Sequence, residues 1–199
     1  MIDSLYLGPE YDLSHIEGDT VNTMYVARLL EDRKVVAVFQ GRSEAGPRAL
    51  GNRSILYDPR DPDGKDRINK VKNRESFRPF AGSVLLPHVH KWFDMGGLEE
   101  SPFMMYAVDA LPHTHDKIPA ILHVDKTCRV QTVGLHNNVN YYQLIDSFYQ
   151  LTDVPILFNT SFNLAGEPLV ETPEDAIECF DCSDIDYLYF PDVQKLRAK

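Results

Sequence analysis

The sequence predicts a single α/β or α+β domain in which helices flank an open, twisted mixed sheet, and three observations predict it. Short apolar, β-branched runs recur along the chain, at 35–40 (VVAVFQ), 154–160 (VPILFNT) and 185–190 (IDYLYF), and such runs bounded by turn residues read as buried strands. Segments with helical spacing of apolar residues lie between them. No repeat, low-complexity tract or linker divides the 199 residues, so one domain spanning 1–199 is expected.

In chain order, residues 1–15 read as an irregular lead that turns at Leu7-Gly8-Pro9. Asp19 or Thr20 is the expected cap for a helix over 21–34 (VNTMYVARLLEDRK). After the strand at 35–40, RSILY (53–57) reads as a second strand. DGKDRINKVKNRES (63–76) reads as a helix that buries Ile68 and Val71. AGSVLL (81–86) is strand-like, PHVHKWF (87–93) a short helix, 94–102 a loop, and FMMYAVDA (103–110) a further strand. LPHTHDKIP (111–119) is rich in turn residues and reads as a surface excursion. AILHVDKTCRVQTVG (120–134) alternates as two strand pieces around a turn at Asp125-Lys126. Asn137 or Asn138 caps a helix over 139–153. The strand at 154–160 exits into SFNLAGEP, and Thr172-Pro173-Glu174 opens a helix, since proline suits the first helical position. IDYLYF closes the chain as a strand.

Charge is distributed unevenly. The chain has 20 Lys+Arg against 30 Asp+Glu, a formal net charge of −10. Yet the window 42–78 holds ten of the cations and only six acids, about +4, which leaves about −14 for the remainder. Seven of the ten are arginines, whose planar donor fork matches phosphate and carboxylate oxygens two at a time. They are interleaved with Gly41, Gly46, Pro47, Gly51 and Pro79, which favours turns and close backbone approach over a solvated helix face. A phosphate-bearing small ligand is expected in this basic island. The acidic remainder makes nucleic acid an unfavourable partner.

Four polar patches fall at strand exits or turns. The first runs from Gly41-Arg42 through Arg48 to Arg53. The second is Lys72-Asn73-Arg74 with Arg78. The third is Asn159-Thr160-Ser161-Phe162-Asn163, and the fourth His123-x-Asp125-x-x-x-Arg129-x-Gln131. Thr160, Ser161 and Asn163 supply neutral donors for phosphate or ribose oxygens. Asp125 suits a Mg²⁺ ion bridging phosphates, because that ion takes one or two protein carboxylates and leaves the rest to water and phosphate. No P-loop and no G-x-S-x-G occurs, so a nucleotide would be held by another arrangement.

Several tempting features read as structural. His88-x-His90 and His113-x-His115 are expected to be solvated or locally bonded. Tyr141, Tyr142, Phe148 and Tyr149 lie at helical spacing and read as core. Three cysteines, with Cys179-x-x-Cys182 lacking a second pair, read as packed thiols in a reducing, cytoplasmic setting. No run approaches the length of a membrane span, and the N-terminus has no signal-peptide pattern.

The stretches GRSEAGPRALGNRSIL (41–56), NKVKNRESFRPFA (69–81), HVDKTCRVQTV (123–133) and FNTSFNLAGEPLVETPEDAI (158–177) resemble the C-terminal, YrdC-like domain of the NodU and tobramycin-type O-carbamoyltransferases. The resemblance extends from the LGPEY lead to IDYLYF. Lys72-x-Arg74 and Ser161-x-Asn163 match the K-x-R and S-x-N signatures of YrdC-type enzymes. The resemblance implies a domain that uses carbamoyl phosphate and ATP-Mg²⁺ to form carbamoyl-adenylate and pyrophosphate. A separate actin-like-fold transferase domain or subunit would pass the carbamoyl group to a hydroxyl. It further implies that Arg48, Lys72, Arg78 and Arg129 neutralise the phosphates, that Arg74, Ser161 and Asn163 orient them, and that Asp125 helps place Mg²⁺. Arg42, Arg53, His123 and Thr160 are expected among the substrate contacts, and Lys72, Arg129 and Ser161 as the catalytic set. Two alternatives stay open, a threonylcarbamoyl-adenylate synthase and a nucleotide- or RNA-binding module without turnover. Lys126 stands where the family usually has glycine.

Overall fold

The computed structural model describes residues 6–199, so only the first five residues of the expected irregular lead lie outside it. Among the described residues ten strands form one mixed sheet in the order β1-β10-β9-β2-β3-β8-β4-β7-β6-β5. They are β1 (Asp19–Thr20), β2 (Val36–Phe39), β3 (Arg53–Tyr57), β4 (Ala81–Leu85), β5 (Phe93–Asp94), β6 (Tyr106–Ala110), β7 (Thr127–Val133), β8 (Ile156–Ser161), β9 (Tyr187–Phe190) and β10 (Lys195–Ala198). β2 with β9 and β4 with β7 run parallel, and the other pairs are antiparallel. The helices are α1 (Thr23–Glu31), α2 (Gly64–Val71), α3 (Val89–Trp92), α4 (Val139–Thr152) and α5 (Pro173–Asp181).

The central strands are buried along their whole length, VAVF of β2 and RSILY of β3 at every position. Continuous apolar runs are what strands covered on both faces require. One large apolar cluster joins Val36, Phe39, Leu56, Phe158 and Phe190 of the sheet to Leu30 of α1, Ile68 of α2, Phe148 of α4 and Phe180 of α5. Tyr141 and Phe148 are in this core as the helical spacing implied, and Tyr142 and Tyr149 pack at its margin. α5 opens with a full capping box, Thr172 Oγ1 accepting from the Asp175 N–H and Asp175 accepting from the Thr172 N–H.

The structure departs from the expected elements in several places, among them β5 (Phe93–Asp94), where a helix end and a loop are expected, and a 3-10 helix at Pro112–Lys117 in the expected surface excursion. Asn22, not Asp19 or Thr20, caps α1 by accepting from the Tyr25 N–H, because Asp19–Thr20 is drawn into pairing with β10. The helix expected over 63–76 stops at Val71. Residues 120–126 form a 3-10 turn and a tight turn, so the two expected strand pieces reduce to β7 alone. β10 (KLRA) lacks an apolar run, and its pairing with β1 and β9 makes it a strand. The cysteine expectation holds for Cys128 and Cys179, which are buried with pKa values pushed up to about 12 and about 11, chiefly by burial; Cys182 is exposed.

Gly51 fixes how the basic loop meets the core. Its φ is +108°, and a Cβ there would lie 2.3 Å from Cδ1 of Tyr141. Gly51→Ala is therefore expected to destabilise the fold by about 2–3 kcal/mol, through left-handed backbone strain and a displaced buried ring, read as a lowered denaturation midpoint.

Candidate functional site

Strand register brings two of the four patches, those of Asn159–Ser161 and Arg129–Gln131, onto one face of the sheet. Arg129 of β7, Ala81 of β4 and Asn159 of β8 lie in one row. Side chains alternate between faces with period two, so Gln131, Ser83 and Ser161 share that face. The row is knitted by side chains: Asn159 Nδ2 donates to Ser83 Oγ (2.9 Å) and Gln131 Oε1 (3.2 Å), and Ser83 Oγ donates to Gln131 Oε1 (2.6 Å). The basic loop 41–52 is fastened over it, with Asn159 Nδ2 donating to Ala49 O and Gln131 Nε2 to Leu50 O.

Beside this row is an open cleft of about 740 Å³, whose lining includes Asn69, Lys72, Arg74, Arg78, Ser161 and Asn163 together with residues 164–166. The K-x-R and S-x-N pairs thus form one site. The early end of α2 makes this possible. Asn73 takes φ +50°, the Asn73 N–H bonds Lys70 O, and the Arg74 N–H bonds Asn69 O. That is a Schellman ending with asparagine in the left-handed position. It turns the chain sharply, so Lys72 and Arg74 reach one cleft, whereas a continued helix would point them apart.

Lys72 is 3% exposed. Its Nζ donates among Ser161 O (2.5 Å), Asn163 O (2.8 Å), Asn163 Oδ1 (2.9 Å) and Ser161 Oγ (3.2 Å). Ser161 Oγ in turn donates to Asn163 Oδ1 at 2.7 Å. Burial, then the Arg74 charge, pushes the Lys72 pKa down to about 7. The four oxygens oppose that push by bonding the charged form. Arg74 is held by Asn69 Oδ1 (Nε, 2.7 Å) and by stacking over Phe80 (4.2 Å), and burial lowers its pKa to about 10.

Arg129 continues the positive field: its charge adds to the burial and the Arg78 charge that lower the Arg74 pKa, and its own pKa is lowered by burial, then by the Arg48 charge. The Nε atoms of Arg48 and Arg129 are buried without a hydrogen-bond partner. Among the described residues Arg60, Arg67 and Arg78 have carboxylates within ion-pair distance (Asp58, Asp186, Glu75), and Arg48, Lys72, Arg74 and Arg129 have none.

Other expected contacts are placed differently. Arg53 is fully buried; its guanidinium donates to the carbonyls of Gln40, Gly41, Asn52 and Glu171 and lies 3.6 Å over the Phe39 ring, so it clamps the fold and does not present donors to a ligand. Arg42 is exposed, donates from Nε to Gly8 O and lines a separate small hollow with Tyr11 and Asp192. His123 is fixed between Thr127 Oγ1 (3.1 Å) and Phe80 O (3.3 Å). Thr160 lies next to Ser161 on β8, on the opposite face. Asp125 Oδ1 accepts from the Thr127 N–H and Oγ1 in a turn where Lys126 takes φ +69°, a conformation glycine enters freely. His113 and His115 bond the carbonyls of Lys91 and Ala110, and no group of three metal-capable side chains occurs among the described residues.

Glu44 escaped the reading of the sequence. It is 6% exposed, and its Oε1 accepts from the backbone N–H groups of Leu50 (2.7 Å), Asn52 (2.8 Å) and Arg53 (3.2 Å). It therefore folds the loop that carries Arg48. A lone acid two residues before Gly46 gave no signal of that role.

This chain belongs to a family of carbamoyltransferases: the family described as Carbamoyltransferase C-terminus matches residues 27–196. It is 46% identical over 164 residues to nodulation protein NolNO of Sinorhizobium fredii, covering 81% of this chain and 24% of that protein. It is 48% identical over 156 residues to NolO of Bradyrhizobium diazoefficiens, covering 77% and 28%, and 35% identical over 180 residues to nodulation protein U of that organism, covering 88% and 31%. The chain therefore spans about a quarter to a third of the length of these relatives, and it corresponds to the family's C-terminal part. Among solved structures, full-length HypF in its phosphate- and nucleotide-bound form matches with a TM-score of 0.57 at 18% identity, over 84% of this chain and 27% of that one. P. abyssi Sua5 matches at 0.53 and 12% identity, over 84% and 52%. These likenesses bear out the YrdC-like fold. No helix of the described residues is long and apolar enough to cross a membrane.

Proposed function

We propose that this domain activates carbamoyl phosphate with ATP, releasing pyrophosphate and forming carbamoyl-adenylate, whose carbamoyl group a separate transferase domain delivers to a hydroxyl. The observation that carries this reading is a chain of four cations without carboxylate partners among the described residues: Lys72 and Arg74 line the open cleft, Arg129 is close enough to act on Arg74, and Arg48 on Arg129. Such a set is self-repulsive unless anions bind among them. Membership of a carbamoyltransferase family supports the carbamoyl chemistry.

The reaction balances as follows. Water cleaves carbamoyl phosphate to carbamate and inorganic phosphate. A carbamate oxygen then attacks the α-phosphorus, and the bond to pyrophosphate breaks. Negative charge moves onto the leaving groups in both steps, so fixed cations stabilise both transition states. The forks of Arg74 and Arg129 orient phosphate oxygens, and Lys72 supplies a charge at the Ser161–Asn163 corner. Mg²⁺ supplies further charge neutralisation when it arrives with the nucleotide. Asp125 is the residue that would hold it: exposed, with only Oδ1 tied into its turn, it fits one carboxylate for a phosphate-bound ion and not a resident metal centre.

The test is pyrophosphate release from ATP-Mg²⁺ with and without carbamoyl phosphate, with bicarbonate plus threonine as the competing substrate pair. Release dependent on carbamoyl phosphate is expected, falling about 10²-fold or more in Arg129→Ala. Release driven only by bicarbonate and threonine would reassign the substrate. No ATP binding and no release would overturn the enzymatic reading of this domain.

A further inference from the structure

Asn69 is 1% exposed, yet it makes a contact at every hydrogen-bonding position the basic turn offers it. Its Oδ1 accepts from Arg74 Nε at 2.7 Å. Its Nδ2 donates to Ser76 O (3.1 Å) and reaches Arg78 O (3.4 Å). Its own carbonyl receives the Arg74 N–H at 3.0 Å, the closing bond of the helix ending. One buried amide thus ties the side chain of Arg74, the backbone of Arg74 and the return segment that carries Arg78.

The consequence for Arg74 is geometric. A guanidinium has two edges rich in donors and two flat faces. Here Asn69 engages the Nε position and Phe80 covers a face. What is left free is the outer pair of terminal nitrogens, the fork that engages two phosphate oxygens at once. An arginine without such restraint samples many rotamers, and ordering it would count against ligand affinity.

We propose that Asn69, in the wall of the cleft with its side-chain amide already bonded to Arg74, Ser76 and Arg78, is the positioning residue of the anion site: it presets the Arg74 fork and fixes the 75–78 segment beside it. No carboxylate performs the same task, because an acid at this position would accept from Arg74 but repel the carbonyls of Ser76 and Arg78 and would cancel the charge that the site requires. The inference rests on the reading of the cleft as an anion site, and its test separates the two.

Two measurements on the 199-residue chain decide it. The first is the NMR signal of the Arg74 Nε–H, assigned as the one missing in Arg74→Lys. It is expected to exchange slowly in the wild type and to be lost from the protected set in Asn69→Ala while the rest of the spectrum stays folded. The second is Mg-ATP affinity by calorimetry. Asn69→Ala is expected to weaken binding about tenfold in the wild-type background and to have no effect in Arg74→Ala, as a residue acting through Arg74 must. Retention of the protected Nε–H in Asn69→Ala, or an equal loss of affinity with Arg74 already removed, would overturn the proposal. If Asn69→Ala does not fold, Asn69→Asp carries the test. It keeps the acceptor and loses the donor, so the Arg74 signal should persist while amide protection at residues 76–78 falls; unchanged protection there would overturn the proposal. A wild-type chain that binds no Mg-ATP would defeat the adenylation reading alone, since the Nε–H measurement needs no ligand.

Discussion

Replacing Lys72 with methionine is expected to lower carbamoyl-phosphate-dependent pyrophosphate release by about 10³-fold or more while the chain stays folded. The catalytic loss follows from removing the amine that bound phosphate anions hold in its charged form at the corner where both signature pairs meet, and loss of a single preorganised electrostatic donor already costs about 10²–10³-fold. The fold survives because methionine fills much of the same volume, Ser161 and Asn163 keep their mutual bond, and water from the cleft can reach the carbonyls that Lys72 leaves. Stability should also change its response to pH. The Lys72 pKa lies near 7 in the fold against an ordinary value of 10.5. Between those values the unfolded chain holds a proton that the folded chain has released, so stability rises with pH across that window, by about 1.4 kcal/mol per unit from this one group. It is fully gained above 10.5 and lost as pH falls through about 7. Denaturant unfolding at pH 6.5, 8 and 9.5 should show this slope in the wild type and a shallower one in Lys72→Met. Equal slopes would mean that the four oxygens around Nζ hold the proton against burial.

The sheet was legible in the sequence wherever burial on both faces forced a run of apolar residues, as in VAVF of β2 and ILF of β8. It was illegible where pairing alone makes the strand. Asp19–Thr20 and Lys195–Ala198 carry no apolar pattern and are strands because each is the other's neighbour, some 176 residues apart in sequence. The site was legible in its chemistry, since clustered arginines on an acidic chain point to an anion whatever their arrangement. Their roles were not. Arg53 and Arg74 look alike in sequence, yet four carbonyls surround the Arg53 guanidinium and the Arg74 fork faces a cleft. The difference lies in strand parity and in the left-handed turn at Asn73, and spacing along a chain carries neither. Asn69 and Glu44 were invisible for the same reason: each acts on backbone groups, and a residue's sequence neighbours do not say which carbonyls or amides will surround it.

Glu44→Ala is expected to destabilise the protein by about 3–5 kcal/mol and to release the loop that carries Arg48. Three backbone N–H groups, of Leu50, Asn52 and Arg53, converge on one carboxylate oxygen. Removing it strands buried donors, each of which costs about 1–3 kcal/mol unless the loop opens to water. It also takes away a negative charge that supports the buried Arg53, whose pKa burial lowers and Glu44 raises. Burial pushes the Glu44 pKa upward, and the three amides pull it back by favouring the ionised form. Because its second oxygen has no partner, the amide-binding oxygen does most of the structural work. Glu44→Gln keeps that oxygen and should therefore cost about half as much or less than Glu44→Ala. Unfolding midpoints for the two variants, with hydrogen exchange over residues 44–52, read both parts of the expectation. A Gln variant as unstable as the Ala variant would place the energy in the Glu44–Arg53 charge pairing. A stable Ala variant with intact protection over the loop would show that the Asn159 and Gln131 contacts to Ala49 and Leu50 hold it without Glu44.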